Sequence, residues 1–425
     1  MTNILNPLQQ LALEVTREGP DSVAFDGLRV LQHPDRFHKF LTGRELDIVP
    51  VTVQLWPSLS CDVMCPTCPY RLTDARTLAD ADHQNLHLMP SDLFRTLADS
   101  MVEAGVQSVF LTGGGEPILH PEIVNFVRHA KHIGLSWGMF TNGISLDETL
   151  ARQLFEQDPG FFRVSLEAGN DELYNKIYAT DTGNFEHVKK NVVVAGKVAL
   201  DLNVHWFGVG FTLMPNSTLQ DLKDIRETLI ELFEASDMGV NLASFRPRVI
   251  HHVRDKVVAP QKFSGQYHKL ANMIREVIEM PLLERYKDEI RIDHKFGAFS
   301  DCDIGTSPTG GWGGAWIATL DHKANGSIVS HLTGSSYNPS AWGFSLAEGS
   351  FKKTWGAERR RRVHDDVVKG RTRLPVANGF RTVDGFLNRV KEVFPDPLND
   401  AEAWQLLEGV ENWPFHRSQR PEFVG

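Results

Sequence analysis

From Val51 onward, short apolar and β-branched runs alternate with amphipathic stretches of helical length, and that alternation restricts the chain to very few folds. Strand-like runs fall at 51–57, 107–112, 136–140, 161–166, 203–213 and 239–245. Helical patterns near 91–105, 121–134, 147–157, 183–199 and 218–235 separate them, several opened by residues suited to capping: Ser91, Asp147 and Thr218. Six strands each followed by a helix predict a parallel sheet with right-handed crossovers, an α/β partial (β/α)6 TIM-like barrel. In such folds chemistry gathers where strands end and loops begin.

A length of 425 residues exceeds what one hydrophobic core fills, so the barrel is expected to carry additions. Residues 1–49 read as a polar, partly helical lead-in in which Pro7, Pro20 and Pro34 interrupt any long helix. Residues 50–250 hold the barrel, and 251–425 a smaller α+β C-terminal extension. The formal net charge of −10 argues against a nucleic-acid partner, which rewards clustered positive charge. The basic run Arg359–Arg362 reads as a solvated helix face. The first residues lack the pattern of a signal peptide, and no apolar stretch approaches the roughly 20 residues a bilayer needs. With four cysteines in all, a secreted disulfide framework is not indicated, and a cytoplasmic protein is expected.

Three of those four cysteines, Cys61, Cys65 and Cys68, stand in C-x3-C-x2-C spacing just after the first strand. Thiolates are soft ligands, suited to zinc or to iron–sulfur clusters. A structural zinc knuckle needs a fourth ligand from a second short cluster, and only His83 and His87 lie close by. Three cysteines on one loop leave one iron of a four-iron cluster open to another ligand. After the second strand comes Gly113-Gly-Gly-Glu-Pro117, whose glycines let backbone approach a ligand and whose Glu116 offers a carboxylate to an ammonium group. The third strand ends in Thr141-Asn142-Gly143 and the fourth in Ser165-Leu-Glu167. Read blandly, the glycines make a turn and Ser165 caps a helix, yet polar groups recur at the same end of successive strands, as one shared site demands.

These residues give the chain a resemblance to radical S-adenosylmethionine (SAM) enzymes, a family that places C-x3-C-x2-C after the first barrel strand and Gly-Gly-Glu-Pro after the second. The likeness covers about residues 50–246. It implies that Cys61, Cys65 and Cys68 hold one [4Fe-4S] cluster whose open iron is chelated by SAM. Gly114, Gly115, Glu116 and Pro117 would bind its amino end, Ser165 and Glu167 would lie near its ribose, and Asn142 joins the same set. One electron from a flavodoxin- or ferredoxin-type donor would then cleave SAM to a 5'-deoxyadenosyl radical that abstracts a substrate hydrogen. The family usually has an aromatic residue just before the third cysteine, where this chain has Thr67, with Tyr70 close behind.

In the extension, Glu289–Asp293 reads as a short strand, and Trp316–Leu320 followed by Asp321–His331 reads as a hairpin with an Asn325-Gly326 turn. This is similar to the SPASM or twitch extension, in which an upstream cysteine precedes a Gly-x4-Cys hairpin. Here Gly326-x4 arrives at His331, and only Cys302 is left among the cysteines. The extension is therefore expected to keep the fold without a second cluster, the other reading being Cys302 and His331 as cluster ligands. A single cluster favours redox-neutral chemistry of isomerase or lyase type, with Cys302 the one thiol placed to return a hydrogen atom; its alternative is a small buried hydrophobe. Substrate anchors are sought in His205, Arg246, Arg248, His251, Trp312 and Trp316, the arginines suiting a carboxylate or phosphate. The short lead-in leaves no room for a leader-peptide or cobalamin domain. A small polar substrate is expected, a sugar, aminocyclitol or nucleoside, with no nucleic acid and no membrane partner. A peptide-modifying enzyme and a non-catalytic iron–sulfur protein are the alternatives.

Overall fold

The structure, a computed structural model, describes residues 5–18, 26–63, 65–66, 68, 88–180, 183–214, 216–247, 252–253, 256–257, 264–294, 312–321, 323, 325–327, 343–345, 350–369 and 378–413. Six parallel strands lie side by side in chain order: β1 (Thr52–Leu55), β2 (Ser108–Leu111), β3 (Ser136–Thr141), β4 (Phe161–Ser165), β5 (Phe207–Leu213) and β6 (Leu242–Pro247). A two-stranded ribbon, β7 (His252–Val253) and β8 (Lys256–Val257), follows. The extension then supplies both flanks of the same sheet. β9 (Arg291–His294) pairs parallel with β6, and β10 (Ile317–Leu320) pairs parallel with β1. Antiparallel β11 (Asn325–Ser327) and β12 (Gly343–Ser345) continue outward from β10. The result is an open α/β sheet, with order β12-β11-β10-β1-β2-β3-β4-β5-β6-β9.

Period-two alternation sorts the strand residues onto two faces. Val53, Leu55, Val109, Leu111, Trp137, Met139, Phe162 and Val164 join the main core against helix residues such as Phe94, Leu97, Met101 and Phe126. The intervening residues turn the other way and are largely polar: Thr52 Oγ1 and Ser108 Oγ share a hydrogen bond of 2.9 Å, and Thr319 Oγ1 donates to Gln54 Oε1 at 3.1 Å.

The helices Ser91–Ala104, Ile123–His132, Glu148–Phe155, Asn184–Asp201 and Leu219–Ala235 fall where the periodicity puts them. Asp147 caps by accepting from the Leu150 amide at 2.8 Å, and Thr218 forms a reciprocal box with Asp221. Ser91 does not cap; it is the first helical residue, behind Pro90. The strand expected from 203 begins only at Phe207, because the preceding helix runs to Asp201 and a left-handed Asn203 (φ 56°) follows it. A further helix, Asp171–Tyr178, has too short an apolar pattern to be anticipated and is capped by Asn170.

Pro7 and Pro34 open helices (Pro7–Glu18 and Pro34–Leu41) instead of interrupting them, since the first turn has no use for their missing N–H. Pro20 lies outside the described residues. These helices form a second core with the helices Asn378–Val393 and Asp400–Leu407 around fully buried Trp316. Trp312 packs there too, its Nε1 donating to Asn388 Oδ1 at 3.0 Å, so both tryptophans are core residues and not substrate anchors. The basic run is not a purely solvated face either. Arg360 is 1% exposed and stacks on Trp355, while donating to the carbonyls of Trp355 and Leu46. Asn325-Gly326 is not the hairpin turn: Gly326 pairs with Leu320 inside the ladder, and Asp321 makes the turn by accepting from the Lys323 amide. Cys302, His331, Arg248, His251, Tyr70, His83 and His87 lie outside the described residues. No helix among the described residues is long and apolar enough to cross a membrane.

The second core is testable apart from the first. Phe386, fully buried and stacked on Phe37 at 6.2 Å between centroids, should lose about 3 kcal/mol of stability on truncation to alanine. Urea unfolding followed by far-ultraviolet circular dichroism checks this; an unchanged midpoint would mean the two ends of the chain do not share a core.

Candidate functional site at the strand ends

A cavity of about 260 Å³ opens at the carboxyl ends of β1 to β4. The loop after β1 contributes Cys61, Val63, Cys65 and Cys68, and the loop after β2 contributes Thr112, Gly113, Gly115, Glu116 and Pro117. The end of β3 adds Phe140, Thr141 and Asn142, that of β4 adds Ser165 and Glu167, and Tyr178 comes from the helix behind. Every residue expected from the motifs thus meets in one place, save Gly114, which does not line the cavity, and the residues sought as substrate anchors.

The two loops are held by backbone. The Gly115 amide donates to the Ser58 carbonyl at 3.1 Å and the Glu116 amide to the Ser60 carbonyl at 2.7 Å. A Cβ on Gly115 would lie 2.3 Å from the Ser60 oxygen and 2.4 Å from the Leu59 carbonyl carbon, so only glycine permits this approach. Within the cysteine loop the Cys68 amide donates to the Cys65 carbonyl at 3.1 Å, a tight turn that brings both thiols to one side.

Glu116 is 3% exposed, and its carboxylate already has internal partners. It accepts from Thr141 Oγ1 at 2.6 Å, from the Asn142 amide at 2.7 Å and from the Ile118 amide at 3.2 Å. What the loop offers the cavity is therefore mainly backbone. Burial pushes this carboxyl from 4.5 up to about 7, against the pull of its three donors. Asn142 extends the network, donating through Nδ2 to Asp62 Oδ1 at 2.5 Å and accepting from the Ile144 amide at 3.0 Å. Glu167 sits in the left-handed region at φ 66° and bridges to the end of β5, accepting from the Thr212 amide at 2.5 Å and Thr212 Oγ1 at 3.1 Å. Tyr178 donates its hydroxyl to the Ser165 carbonyl.

The cysteines are free thiols, Cys61 exposed at the cavity and the other two half-buried. Desolvation, reinforced by Glu116, Asp62 and Cys68, raises the Cys61 thiol to about 12, despite an opposing hydrogen bond with the Val63 backbone. A bound cation reverses that preference, because a coordinating thiol is deprotonated outright. Among the described residues no group of three His, Cys, Asp or Glu side chains could hold a single metal ion. Three thiols along a cavity wall, with no imidazole and no fourth thiol among the lining residues, instead fit a polynuclear centre that keeps one coordination position for a non-protein ligand.

Of the other residues singled out in the sequence, Arg246 lies on β6 and is half-buried. His205 is exposed and precedes β5, at the opposite end of the sheet from the cavity. Sequence reasoning missed Phe140 and Tyr178, which also line the cavity; Tyr178, on a helix behind the β4 end, carried no signal.

The pH behaviour of Glu116 is predictable in sign. Its folded pKa is raised, so its contribution to stability is complete below about 4.5 and is lost as pH rises through about 7. Iron-free protein should lose on the order of 1.4 kcal/mol per pH unit across that window, and Glu116→Gln should flatten the slope in urea titrations. Parallel wild-type and variant profiles would refute it.

Comparison with known proteins places this geometry. The profile described as Radical SAM superfamily matches residues 57–229. The chain is 28% identical over 151 residues to dTDP-4-amino-4,6-dideoxy-D-glucose ammonia-lyase of Streptomyces venezuelae, covering 34% of this chain and 29% of that one. It is 27% identical over 227 residues to a probable GTP 3',8-cyclase of Methanococcus maripaludis, covering 52% and 66%. The chain thus spans less than two thirds of either relative. Streptococcus suis SuiB bound to precursor peptide SuiA shares the fold, with a TM-score of 0.55, 11% identity, and coverage of 76% of this chain and 68% of that one.

Proposed function

The chain is a member of the radical SAM superfamily, with the family's domain at residues 57–229, and from that premise we propose that it acts on a small polar substrate with no net oxidation. The observation that carries this reading is the convergence of three thiols, the glycine loop and the β3 and β4 ends on one cavity. The domain's cofactors are a [4Fe-4S] cluster and SAM, which together supply a 5'-deoxyadenosyl radical able to take a hydrogen atom from carbon.

The residues divide the labour. Cys61, Cys65 and Cys68 would hold the cluster. Gly115, through its contact with the cysteine loop, keeps the Gly114–Pro117 segment against that loop, where it would receive the amino end of SAM. Glu116 and Asn142 act as positioning residues, locking three loops together, while Ser165 and Glu167 would lie near the ribose of bound SAM. Phe140 and Tyr178 wall the cavity and would help to exclude water from it.

Redox neutrality is supported by the cysteine count. Of four cysteines, three belong to this site, which leaves Cys302 alone to ligate any second cluster that would take up a substrate electron. Isomerase or lyase chemistry follows, and Cys302 is the thiol available to return a hydrogen atom. The relatives' names include an ammonia-lyase of a dTDP-linked amino sugar and a GTP cyclase, which supports a sugar- or nucleoside-type substrate. A flavodoxin or ferredoxin would supply the electron, in the cytoplasm, where thiols stay reduced.

Reduced, iron-reconstituted protein incubated with SAM should release 5'-deoxyadenosine, and Cys65→Ala should abolish it. No release above that variant's background would leave a non-catalytic iron–sulfur protein. Iron should approach four per chain; eight would overturn the single-cluster reading.

A further inference from the structure

Behind the thiol site lies a tyrosine whose hydroxyl no described residue engages. Tyr174 stands on the helix Asp171–Tyr178, which Asn170 caps just past the end of β4. Its side chain is fully buried in the main core, packed on Tyr178 at 4.6 Å and Phe185 at 5.7 Å between ring centroids. Tyr178 lines the cavity together with Cys65, and Cys65, half-buried, packs against the same core. The phenol therefore adjoins the cysteine loop from the core side, where water does not compete.

A tyrosine hydroxyl inside a core ordinarily finds a partner, because leaving a buried donor unused is costly. The Tyr174 Oη is buried and has none among the described residues. The anionic groups in its field are those of Asp62, Cys65, Glu116 and Glu167. Three of these are answered by other donors. Glu116 accepts from Thr141, Asn142 and Ile118, Glu167 from the Thr212 amide and hydroxyl, and Asp62, which is exposed, from Asn142. Cys65 is the one that changes when the site is loaded. As a thiol its sulfur is a weak acceptor; as a cluster ligand it is a thiolate, whose charge a nearby donor stabilises. Burial foremost, then the charges of Asp62, Cys65, Glu116 and Glu167, raises the phenol, so it keeps its proton and remains a donor.

We propose that the Tyr174 hydroxyl is a hydrogen-bond donor held for the Cys65 thiolate, and that it raises the reduction potential of the cluster. Tyr174 is thus a positioning residue, acting on the electron through Cys65 and touching neither SAM nor substrate. Hydrogen bonds to cluster sulfurs raise the potential, because the reduced cluster carries the greater negative charge and gains more from a donor. A buried donor here makes the single electron that starts the chemistry easier to deliver. The inference rests on Cys61, Cys65 and Cys68 as ligands of the family's cluster.

The test is a redox titration of the reconstituted protein without SAM, with the reduced cluster followed by electron paramagnetic resonance. Tyr174→Phe keeps the ring and removes only the hydroxyl. Its midpoint should fall by about 59 mV, a tenfold loss in the one-electron reduction constant, with iron per chain as in wild type. Tyr286→Phe removes a hydroxyl that donates to Glu234 at 3.1 Å, away from the cavity, and should titrate as wild type does. In iron-free protein Tyr174→Phe should match or exceed the wild-type urea midpoint, since the hydroxyl gains its partner only when the thiolate forms. An unchanged or raised potential overturns the proposal. So does a lowered urea midpoint in iron-free protein, which would give the hydroxyl a structural partner. A folded Tyr174→Phe that takes up no iron overturns it as well, by making Tyr174 a support of the loop. Wild type that takes up no iron would sink the reading of the three cysteines along with it. Wild type that holds its cluster yet releases no 5'-deoxyadenosine would sink the proposed function alone, because the potential is read without turnover.

Discussion

The buried carboxylate of Glu116 is the contact on which the geometry of the site depends. The end of β3, through Thr141 and Asn142, and the turn after Pro117, through Ile118, both donate to it. Its backbone amide meanwhile holds the cysteine loop through Ser60. One residue, by side chain and backbone together, therefore fixes the relative positions of three strand ends, and Asn142 passes the constraint on to Asp62 between the first two cysteines. Such an arrangement resists small displacements, because moving any one loop strands a buried donor or acceptor, at a cost of roughly 1–3 kcal/mol. A cluster and an organic cofactor that must meet at a single iron need loops held this way.

The two faces of the sheet carry different tasks. Toward the helices, period-two alternation delivers Val, Leu, Phe, Met and Trp to a continuous core. On the other face the same alternation delivers Thr, Gln, Arg and Ser around a cluster of Phe110, Phe140 and Phe161, and Gly208 and Gly210 of β5 let the β6 backbone and the Arg163 side chain pack close. A parallel sheet covered by helices on both sides would read as unbroken apolar runs. Polar residues at alternate positions are the mark of a face that no helix layer covers.

How far the sequence disclosed this depended on the range of the interaction. Strand order and parallel pairing followed from local periodicity, and the thiols and the glycine loop followed from spacing within a few residues. The role of Glu116 did not, because a carboxylate in a glycine loop looks like a ligand for an ammonium group until Thr141 and Asn142 are folded onto it. Trp312 and Trp316 misled for a similar reason. Tryptophans among glycines suit a sugar-binding loop, and only contact with Phe37, Phe40 and Asn388, far away in the chain, makes them core. The Asn325-Gly326 pair has the chemistry of a tight turn, but β10 pairs along its outer edge with β11, Leu320 beside Gly326, so the register places it in the ladder and moves the turn to Asp321.

That register explains why the extension stays with the barrel. In a six-stranded sheet β1 would be an edge, with one side of its backbone unpaired, yet β1 bears the loop that carries all three cysteines. β10 covers that edge along its whole length, from Thr52 beside Ile317 to Leu55 beside Leu320. The pairing continues past both ends, through the Val51 amide on the Trp316 carbonyl at 2.8 Å and the Trp56 amide on the Leu320 carbonyl at 3.0 Å. Trp316 in turn is the centre of the second core, which the lead-in helices and the helix Asn378–Val393 close around it. The beginning and the end of the chain thus hold β1 from behind, at the point where its next residues begin the cysteine loop. The extension thus has a structural reason to keep its fold whatever it ligates, because removing it would leave the cysteine loop hanging from an unpaired edge.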